Sequence, residues 1–190
     1  MDAAGKTTLA DALAEQLMPY GRQIIRASID GFHNPRVVRR LDESPAGFFQ
    51  CSFNYAALRE ELLAPLGPQG SRLFRRAVFN FRTDQPVFCS PERAEADAIL
   101  LFDGIFLLRS ELREYWDFAI FVEADFAVTV SRAETRDRDL LGDPATVRRR
   151  YESRYVPGQL MYLERERPRQ FADVIVVNND FENPQLQYDA

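Results

Sequence analysis

Along the chain, hydrophobic residues recur either once per helical turn or in short continuous runs. Leu9, Leu13 and Leu17 lie about one helical turn apart and predict a helix. Further segments with a helical pattern are 55–66 and 127–138, and the short apolar runs that predict strands are 23–28, 98–102, 118–122 and 174–177. Strands that alternate with helices predict an α/β fold with a doubly wound, mostly parallel sheet. Ligands of such sheets lie beyond the carboxyl ends of the strands.

The remaining segments carry weaker patterns. Residues 32–52 are rich in Pro, Gly, Arg and Ser and predict an irregular segment that faces a substrate, and residues 75–81 predict a hairpin or edge strand. The residues from about 184 predict a loose tail. A length of 190 residues fits one domain, 1–190, with a small mobile insertion.

Composition excludes several classes of protein. A net charge of -5 argues against a general nucleic-acid binder, which needs a broad basic surface. The longest apolar run, 98–108, is too short to cross a membrane, and no signal peptide is visible. Two cysteines are too few for a disulfide framework, so we expect a cytoplasmic protein. The sequence leaves a homo-oligomer open.

Lys6 is the only lysine among 24 cationic residues. It stands in a Gly5-Lys6-Thr7 triplet that opens the first predicted helix, and it matches the second half of the phosphate-binding motif G-x-x-x-x-G-K-[ST]. In that motif backbone amides surround phosphate oxygens, the lysine reaches the outer phosphates and the hydroxyl holds Mg²⁺. The triplet therefore predicts a site for ATP or GTP with Mg²⁺. An ordinary helix start is the alternative interpretation.

The first glycine of the motif would fall one residue before Met1. The strand that leads into such a loop would also lie before Met1. Because a parallel sheet without its central strand exposes two strand edges, we expect an N-terminal strand to be missing from this sequence.

Two aspartates follow predicted strands. Asp30 comes after the strand 23–28 and is placed to accept a proton from an attacking hydroxyl, whereas Asp103 comes after 98–102 and suits a magnesium carboxylate. A turn or helix-capping role is the alternative for each. His33 is the only histidine, which argues against histidine metal clusters and Ser-His-Asp triads. It either contacts a substrate or has no role.

Arginines cluster between the predicted helix 127–138 and the next one. We expect the segment 137–152 to form an arginine-rich lid that closes on phosphates, with Arg136 as the first choice for a phosphate contact and Arg132 as the second. Solvated helix faces explain most of the other arginines. Phe79 and Phe81 either stack on a planar base or fill the core, and the core is the more common role.

Taken together, five segments resemble the uridine kinase and phosphoribulokinase family of P-loop kinases. They are the phosphate loop at 2–8 (DAAGKTT), the catalytic aspartate segment at 28–32 (SIDGF), the second acidic strand end at 100–104 (LLFDG), the lid at 132–137 (RAETRD) and the closing segment at 167–175 (RPRQFADVI). The resemblance covers most of the chain, and the order and spacing of the five segments are more specific than any one of them.

The resemblance implies transfer of the γ-phosphate of ATP or GTP to a hydroxyl of a nucleoside such as uridine or cytidine. It implies Asp30 as the base, with Lys6, Thr7 and the lid arginines at the phosphates. Thr7 and Asp103 are the residues that we expect at the metal from the motif and the strand end. We expect the residues that bind the nucleotide to be Ala4, Gly5, Lys6, Thr7, Thr8, Arg132 and Arg136, and those that bind the acceptor to be Asp30, Phe32, His33, Arg36, Phe79 and Phe81.

Three features depart from the family. Asp103 replaces the usual Glu, the segment 33–36 replaces Tyr and polar residues, and 53–55 lacks the acidic residue that holds the ribose hydroxyls. Other acceptors therefore stay open, namely a sugar phosphate, pantothenate or nicotinamide riboside. A nucleotide-binding module without catalysis is a further alternative. A GTPase switch is disfavoured because its N-K-x-D signature requires a second lysine.

Overall fold

The computed structural model describes residues 1–188, and the chain divides into two compact units. Among the described residues, unit 1 comprises 1–6, 42–50 and 105–188, and unit 2 comprises 7–41 and 51–104. That all 190 residues form one domain stays a prediction. Among the described residues, every helix is too short or too polar to span a lipid bilayer.

Unit 2 contains one of the two parallel strand pairs. Its strands and helices are α1 (Lys6–Leu17, whose first residue belongs to unit 1), β1 (Ile24–Ser28), α2 (Arg36–Arg39), α4 (Tyr55–Leu58), α5 (Ala64–Leu66), β2 (Leu73–Phe74), β3 (Phe79–Asn80), β4 (Gln85–Pro86), β5 (Glu92–Arg93) and β6 (Ile99–Asp103). β1 pairs with β6 in parallel, and Ser28 lies opposite Asp103. A π-helical segment, Arg59–Leu63, joins α4 to α5. The predicted helix 55–66 is therefore one continuous helical stretch.

Unit 1 contains the second parallel pair. Its strands and helices are α3 (Pro45–Cys51, whose last residue belongs to unit 2), β7 (Ile120–Glu123), α6 (Phe126–Arg136), α7 (Arg138–Leu141), α8 (Pro144–Arg150), α9 (Val156–Glu166), β8 (Val174–Val177) and β9 (Gln185–Gln187). β7 pairs with β8 in parallel. Ala3, Val130, Ala133, Val147 and Tyr151 form a buried cluster that packs α6 and α8 against the start of the chain.

The parallel pairing predicted from the sequence is confirmed, but three local predictions are wrong. The segment 32–52 contains α2 and α3, because its apolar residues Phe48 and Phe49 are buried. The expected tail pairs as β9 with β8 in antiparallel fashion, since β8 offers a free edge to it. The run 99–102 is half-buried rather than enclosed on both faces, and among residues 1–188 β6 pairs with β1 on one edge only.

The segment predicted as a lid is helical. α7 and α8 cover 138–150, and Asp143 caps α8 by accepting a hydrogen bond from the backbone N–H of Thr146 at 2.9 Å. A π-helical segment, Tyr151–Tyr155, then leads into α9. Closure of this segment on phosphates stays a prediction.

Candidate active site

The loop 1–6 is fixed by side chains from other parts of unit 1. The Asn178 amide, which follows β8, donates to the carbonyl oxygen of Ala4 at 2.7 Å. Gln159 of α9 accepts from the backbone N–H of Asp2 at 2.7 Å. Gly5 has φ of +96°, a conformation that glycine adopts without strain, and a Cβ at this position would lie 2.5 Å from the Asn178 amide nitrogen. The loop conformation therefore requires glycine at position 5.

Lys6 begins α1 and donates from Nζ to the carbonyl oxygen of Met1, so its side chain spans the loop 1–6. The first N–H groups of any α-helix have no acceptor within the helix, and the helix dipole adds positive potential there. An ammonium beside such N–H groups makes this end of α1 suitable for an anion. Ala4 is fully buried, and its carbonyl oxygen accepts the hydrogen bond from Asn178.

Arg136 at the end of α6 is part of a charged network. It donates to Asp2 at 3.1 Å and to Asp137 at 2.7 Å. The Tyr151 hydroxyl lies 2.7 Å from a carboxylate oxygen of each of these aspartates. Since a hydroxyl donates one proton, the two carboxylates compete for it. The network connects a predicted phosphate-binding arginine to the loop 1–6.

The pKa values follow from this network. Burial raises the pKa of Asp2, but the charges of Arg136 and Lys6 and the hydrogen bonds from Tyr151 and Arg136 outweigh it, and the pKa is lowered to about 2. For the Arg136 cation, burial lowers the pKa. The hydrogen bond to Asp137 and the negative charge of Asp2 outweigh burial, so the pKa of Arg136 is raised. Burial and Asp2 raise the pKa of Tyr151. At neutral pH the network holds an arginine cation, an Asp2 anion and a neutral tyrosine.

Arg132, the second arginine predicted to contact phosphates, lies one turn earlier on α6. Its guanidinium donates to the carbonyl oxygens of Asn178 and Asn179 at 2.8 and 3.0 Å. The same group stacks on the Phe181 ring, with 3.6 Å between the guanidinium carbon and the ring centroid. Arg132 thus holds the segment that in turn holds the loop 1–6.

Unit 2 brings together the two residues predicted to bind a metal. The Thr7 hydroxyl donates to one oxygen of Asp103 at 2.7 Å, and Arg26 donates to the other at 2.9 Å. Because Thr7 uses its proton in this bond, the lone pairs of its hydroxyl oxygen stay available to a cation. Oxygen donors of this kind fit Mg²⁺, which keeps several waters and phosphate oxygens as its other ligands. Among residues 1–188 no group of three or more His, Cys, Asp or Glu suits a metal.

Asp30 lies in a 3₁₀ turn, Ile29–Phe32, directly after β1. The Ser28 hydroxyl accepts from its backbone N–H at 3.4 Å, and the side chain of Asp30 is 58% exposed. Since Ser28 pairs with Asp103, the turn starts beside that end of β6. The carboxylate is therefore accessible to an acceptor.

His33 follows this turn and is held between aromatic rings. Its ring stacks on Phe81 with 4.7 Å between centroids, and it meets Phe53 edge-on at 4.5 Å. Its Nδ1 lies 3.2 Å from the carbonyl oxygen of Asp30 and 3.9 Å from the carboxylate. Asp30, His33 and Phe81 thus form one group in unit 2.

Other residues predicted to bind the acceptor have different surroundings. Phe32 is fully buried and packs against Phe102, and Phe79 is 7% exposed, so both have core positions. For these two residues burial favours the core over a substrate contact. The side chain of Arg36 lies at the surface on α2 and meets no carboxylate among residues 1–188, while Thr8 is exposed on the first turn of α1.

Several residues of the site were not identified from the sequence. Arg26 is a charge inside an otherwise apolar strand pattern, and Asp2 is an acid inside a phosphate loop. Each of these charged residues departs from the pattern around it, and that departure could have marked it as part of the site. Asn178, Gln159 and Tyr151 carried no signal, because their roles depend on contacts across 149 or more positions.

Comparisons with known proteins identify the fold. No protein-family profile matches the chain, and no curated protein is similar to it. Solved structures do match. A possible uridine kinase from Bacillus stearothermophilus is 23% identical with a TM-score of 0.68, and the match covers 90% of this chain and 82% of that one.

Two further structures agree. A provisionally named fructose transport system kinase from Silicibacter sp. TM1040 is 20% identical with a TM-score of 0.69, covering 85% of this chain and 80% of that one. The YGR205w protein is 13% identical with a TM-score of 0.60, covering 99% and 87%. The chain therefore has the fold of P-loop kinases, as the resemblance of its sequence predicted.

Proposed function

We propose that this chain, which has a P-loop kinase fold, transfers the γ-phosphate of ATP to a hydroxyl group of a nucleoside such as uridine or cytidine. The observation that carries the proposal is the start of α1. There the only lysine of the chain precedes Thr7, whose hydroxyl bonds to the nearly buried carboxylate of Asp103. A phosphate-binding cation is followed directly by a pair of oxygen ligands for Mg²⁺.

Each residue has a defined part in this mechanism. Backbone N–H groups of the loop and Lys6 bind the β- and γ-phosphates, and Arg136 neutralises charge on the transferring group. The acceptor hydroxyl attacks the γ-phosphorus in line, the bond to the leaving oxygen of ADP breaks, and Asp30 takes the hydroxyl proton. Thr7 and Asp103 would hold Mg²⁺, which would neutralise charge on the phosphate oxygens.

The group around Asp30 supports a nucleoside acceptor. The exposed Asp30 carboxylate stands beside the stacked pair of His33 and Phe81, and such rings bind a planar base by stacking. Phe81 is therefore the residue of this group that we assign to the base. A cytoplasmic location and a homo-oligomer stay predictions.

A second candidate acceptor is a hydroxyl metabolite with an anionic group, such as a sugar phosphate or pantothenate. It is favoured by two arginines near the Asp30 turn. The side chains of Arg36 and Arg82 contact no carboxylate among residues 1–188, and the Arg82 guanidinium lies 5.5 Å from the centre of the Phe81 ring. Guanidinium groups are well suited to phosphates and carboxylates.

The test is a phosphoryl-transfer assay with ATP, Mg²⁺ and separate acceptors: uridine, cytidine, a pentose phosphate, pantothenate and nicotinamide riboside. Product from a nucleoside supports the first proposal, and product only from an anionic compound supports the second. Tight ATP binding with no product from any compound contradicts both and favours a module without catalysis.

Asp30→Asn tests the mechanism within the same assay. We expect turnover to fall by about 100-fold or more while ATP affinity stays within about twofold, since a general base acts on the acceptor hydroxyl. The control is Asp97→Asn, which removes an exposed carboxylate that pairs with Arg22. Equal losses in both variants, or none in Asp30→Asn, exclude Asp30 as the base.

A further inference from the structure

Arg26 is a charged residue in the middle of β1, where its neighbours Ile25 and Ala27 are buried. Its register partner on β6 is Leu101, two residues before Asp103. Side chains at positions i and i+2 of a strand share a face, so Arg26 lies on the same face as Asp103. The pairing of β1 with β6 thus directs a cation to the predicted metal carboxylate.

The guanidinium of Arg26 is held by several hydrogen bonds. Nη2 donates to Asp103 and to Asp11 at 2.9 Å each, Nε donates to Asp11 at 3.1 Å, and Nη1 donates to the carbonyl oxygen of Leu101 at 2.6 Å. Burial lowers the pKa of Arg26, but its bonds to Asp103 and Asp11 raise it overall. The group is a permanent cation in a fixed position.

Asp103 is only 7% exposed and therefore needs a counter-charge in the protein without a metal. Arg26 supplies it, and it occupies one carboxylate oxygen while Thr7 occupies the other. A divalent cation that approaches this carboxylate meets a positive charge close to it, and like charges repel strongly where solvent is partly excluded.

We infer that Arg26 makes metal binding at Thr7 and Asp103 depend on bound nucleotide. Arg26 fixes the orientation of Asp103, and its charge keeps the nucleotide-free protein from binding a divalent cation on its own. The negative charge of a triphosphate then outweighs that repulsion, so that the metal binds with the nucleotide. This inference rests on the proposed function, because it takes Thr7 and Asp103 as the metal ligands of the kinase. Arg26 is a positioning residue and touches neither reacting group.

The test is a titration of the full chain with Mn²⁺ alone, in which electron paramagnetic resonance measures free Mn²⁺. Arg26→Gln and Arg26→Met remove the charge, Arg26→Lys retains it, and Arg22→Gln is a matched control, because Arg22 pairs with Asp97 instead. We expect the two uncharged variants to bind Mn²⁺ about tenfold or more tightly than the native protein. Arg26→Lys stays within about threefold of native, and Arg22→Gln does not change.

A second substitution identifies the site of the added affinity. Asp103→Asn in the Arg26→Gln background removes the gain, because the carboxylate that binds the metal is lost. A folded, uncharged variant that binds Mn²⁺ no more tightly than native protein overturns the inference. If both uncharged variants are unfolded without metal, the inference predicts that millimolar Mn²⁺ refolds them by replacing the missing counter-charge, and absence of refolding overturns it.

Repeating the titration with a non-hydrolysable ATP analogue separates this inference from the proposed function. In the complex, the phosphates supply most of the ligands and charge that the metal meets, so we expect Mn²⁺ affinity to reach similar values in both proteins. Because the native protein binds Mn²⁺ more weakly without nucleotide, the analogue raises its Mn²⁺ affinity by a factor about tenfold larger than in Arg26→Gln. Equal factors in the two proteins contradict the inference and leave the kinase proposal standing. A native protein that binds no analogue contradicts the kinase proposal, and the Mn²⁺ titration without nucleotide still measures the effect of Arg26.

Discussion

Replacing Gly5 by Ala adds a methyl group where the loop 1–6 has no room for one. The new Cβ would lie 2.5 Å from the Asn178 amide nitrogen and 3.0 Å from a ring carbon of Phe181. The substitution therefore has two costs. It places a side chain at φ of +96°, and it displaces the Asn178 side chain, which donates a buried hydrogen bond to Ala4.

Gly142→Ala is a control for the first cost. Gly142 has φ of +100°, and a Cβ there would meet nothing within 4 Å. Backbone strain for a non-glycine residue in this region is about 1–3 kcal/mol, and a buried polar group that loses its partner costs about 1–3 kcal/mol. We expect Gly142→Ala to lose only the first amount. Gly5→Ala loses both, so it is less stable than the control by about 1–3 kcal/mol.

Urea unfolding followed by circular dichroism measures both variants. Asn178→Ala completes a double-mutant cycle, since the added methyl meets less resistance once the Asn178 amide is absent. We expect the cost of Gly5→Ala to fall by about 1 kcal/mol or more in that background. If Gly5→Ala is no less stable than Gly142→Ala, the close contact between Gly5 and Asn178 does not shape the loop.

Three other predictions concern the charged network and the stacked ring. The lowered pKa of Asp2 means that its ionised form stabilises the fold above about pH 4, by about 2 kcal/mol at pH 7, and this contribution is lost as the pH falls towards 2. The stability difference between native protein and Asp2→Asn, measured by urea unfolding, should therefore narrow between pH 7 and pH 3, and a constant difference contradicts the network. Tyr151→Phe removes the hydroxyl that bonds to Asp2 and should lower the free energy of unfolding by about 1–3 kcal/mol. The control Tyr155→Phe should leave the free energy of unfolding unchanged. Equal effects of the two substitutions would show that the Tyr151 hydroxyl contributes nothing to stability. Phe81→Leu should raise the KM for a nucleoside about fivefold and leave kcat nearly unchanged. The control Phe88→Leu, at a position that is 93% exposed, should change neither constant. An unchanged KM in Phe81→Leu would remove Phe81 from the acceptor site.

The hydrophobic pattern was enough to predict the elements that position the site. Leu9, Leu13 and Leu17 predicted α1, and the apolar runs before Asp30 and Asp103 predicted β1 and β6. These elements are long or strongly patterned, so local sequence specifies them. The metal roles of Thr7 and Asp103 were predicted from the phosphate-binding motif and from the apolar strand before Asp103, and the structure brings these two residues together.

Three features of the structure depend on contacts between distant segments or on local backbone geometry, and the sequence pattern did not predict them. β9 forms because β8 offers it an edge, although Gln185–Gln187 has little strand character of its own. The contact of Arg26 with Asp103 depends on the register of two strands, and a shift by one residue would turn Arg26 to the other face. Phe32 was expected to bind the acceptor, and its ring is buried in the core beside Phe102, a position that depends on the 3₁₀ turn after β1. Its contact with the acceptor stays a prediction.

In the proposed function, Lys6 binds the phosphates of a nucleoside triphosphate at the start of α1. Isothermal titration of MgATP into native protein and Lys6→Ala tests it most directly, with circular dichroism to establish that both are folded. A charge-assisted contact with phosphate is worth about 1.5–3 kcal/mol, so we expect Lys6→Ala to bind MgATP about tenfold to 100-fold more weakly. Equal affinity in the two folded proteins would contradict it.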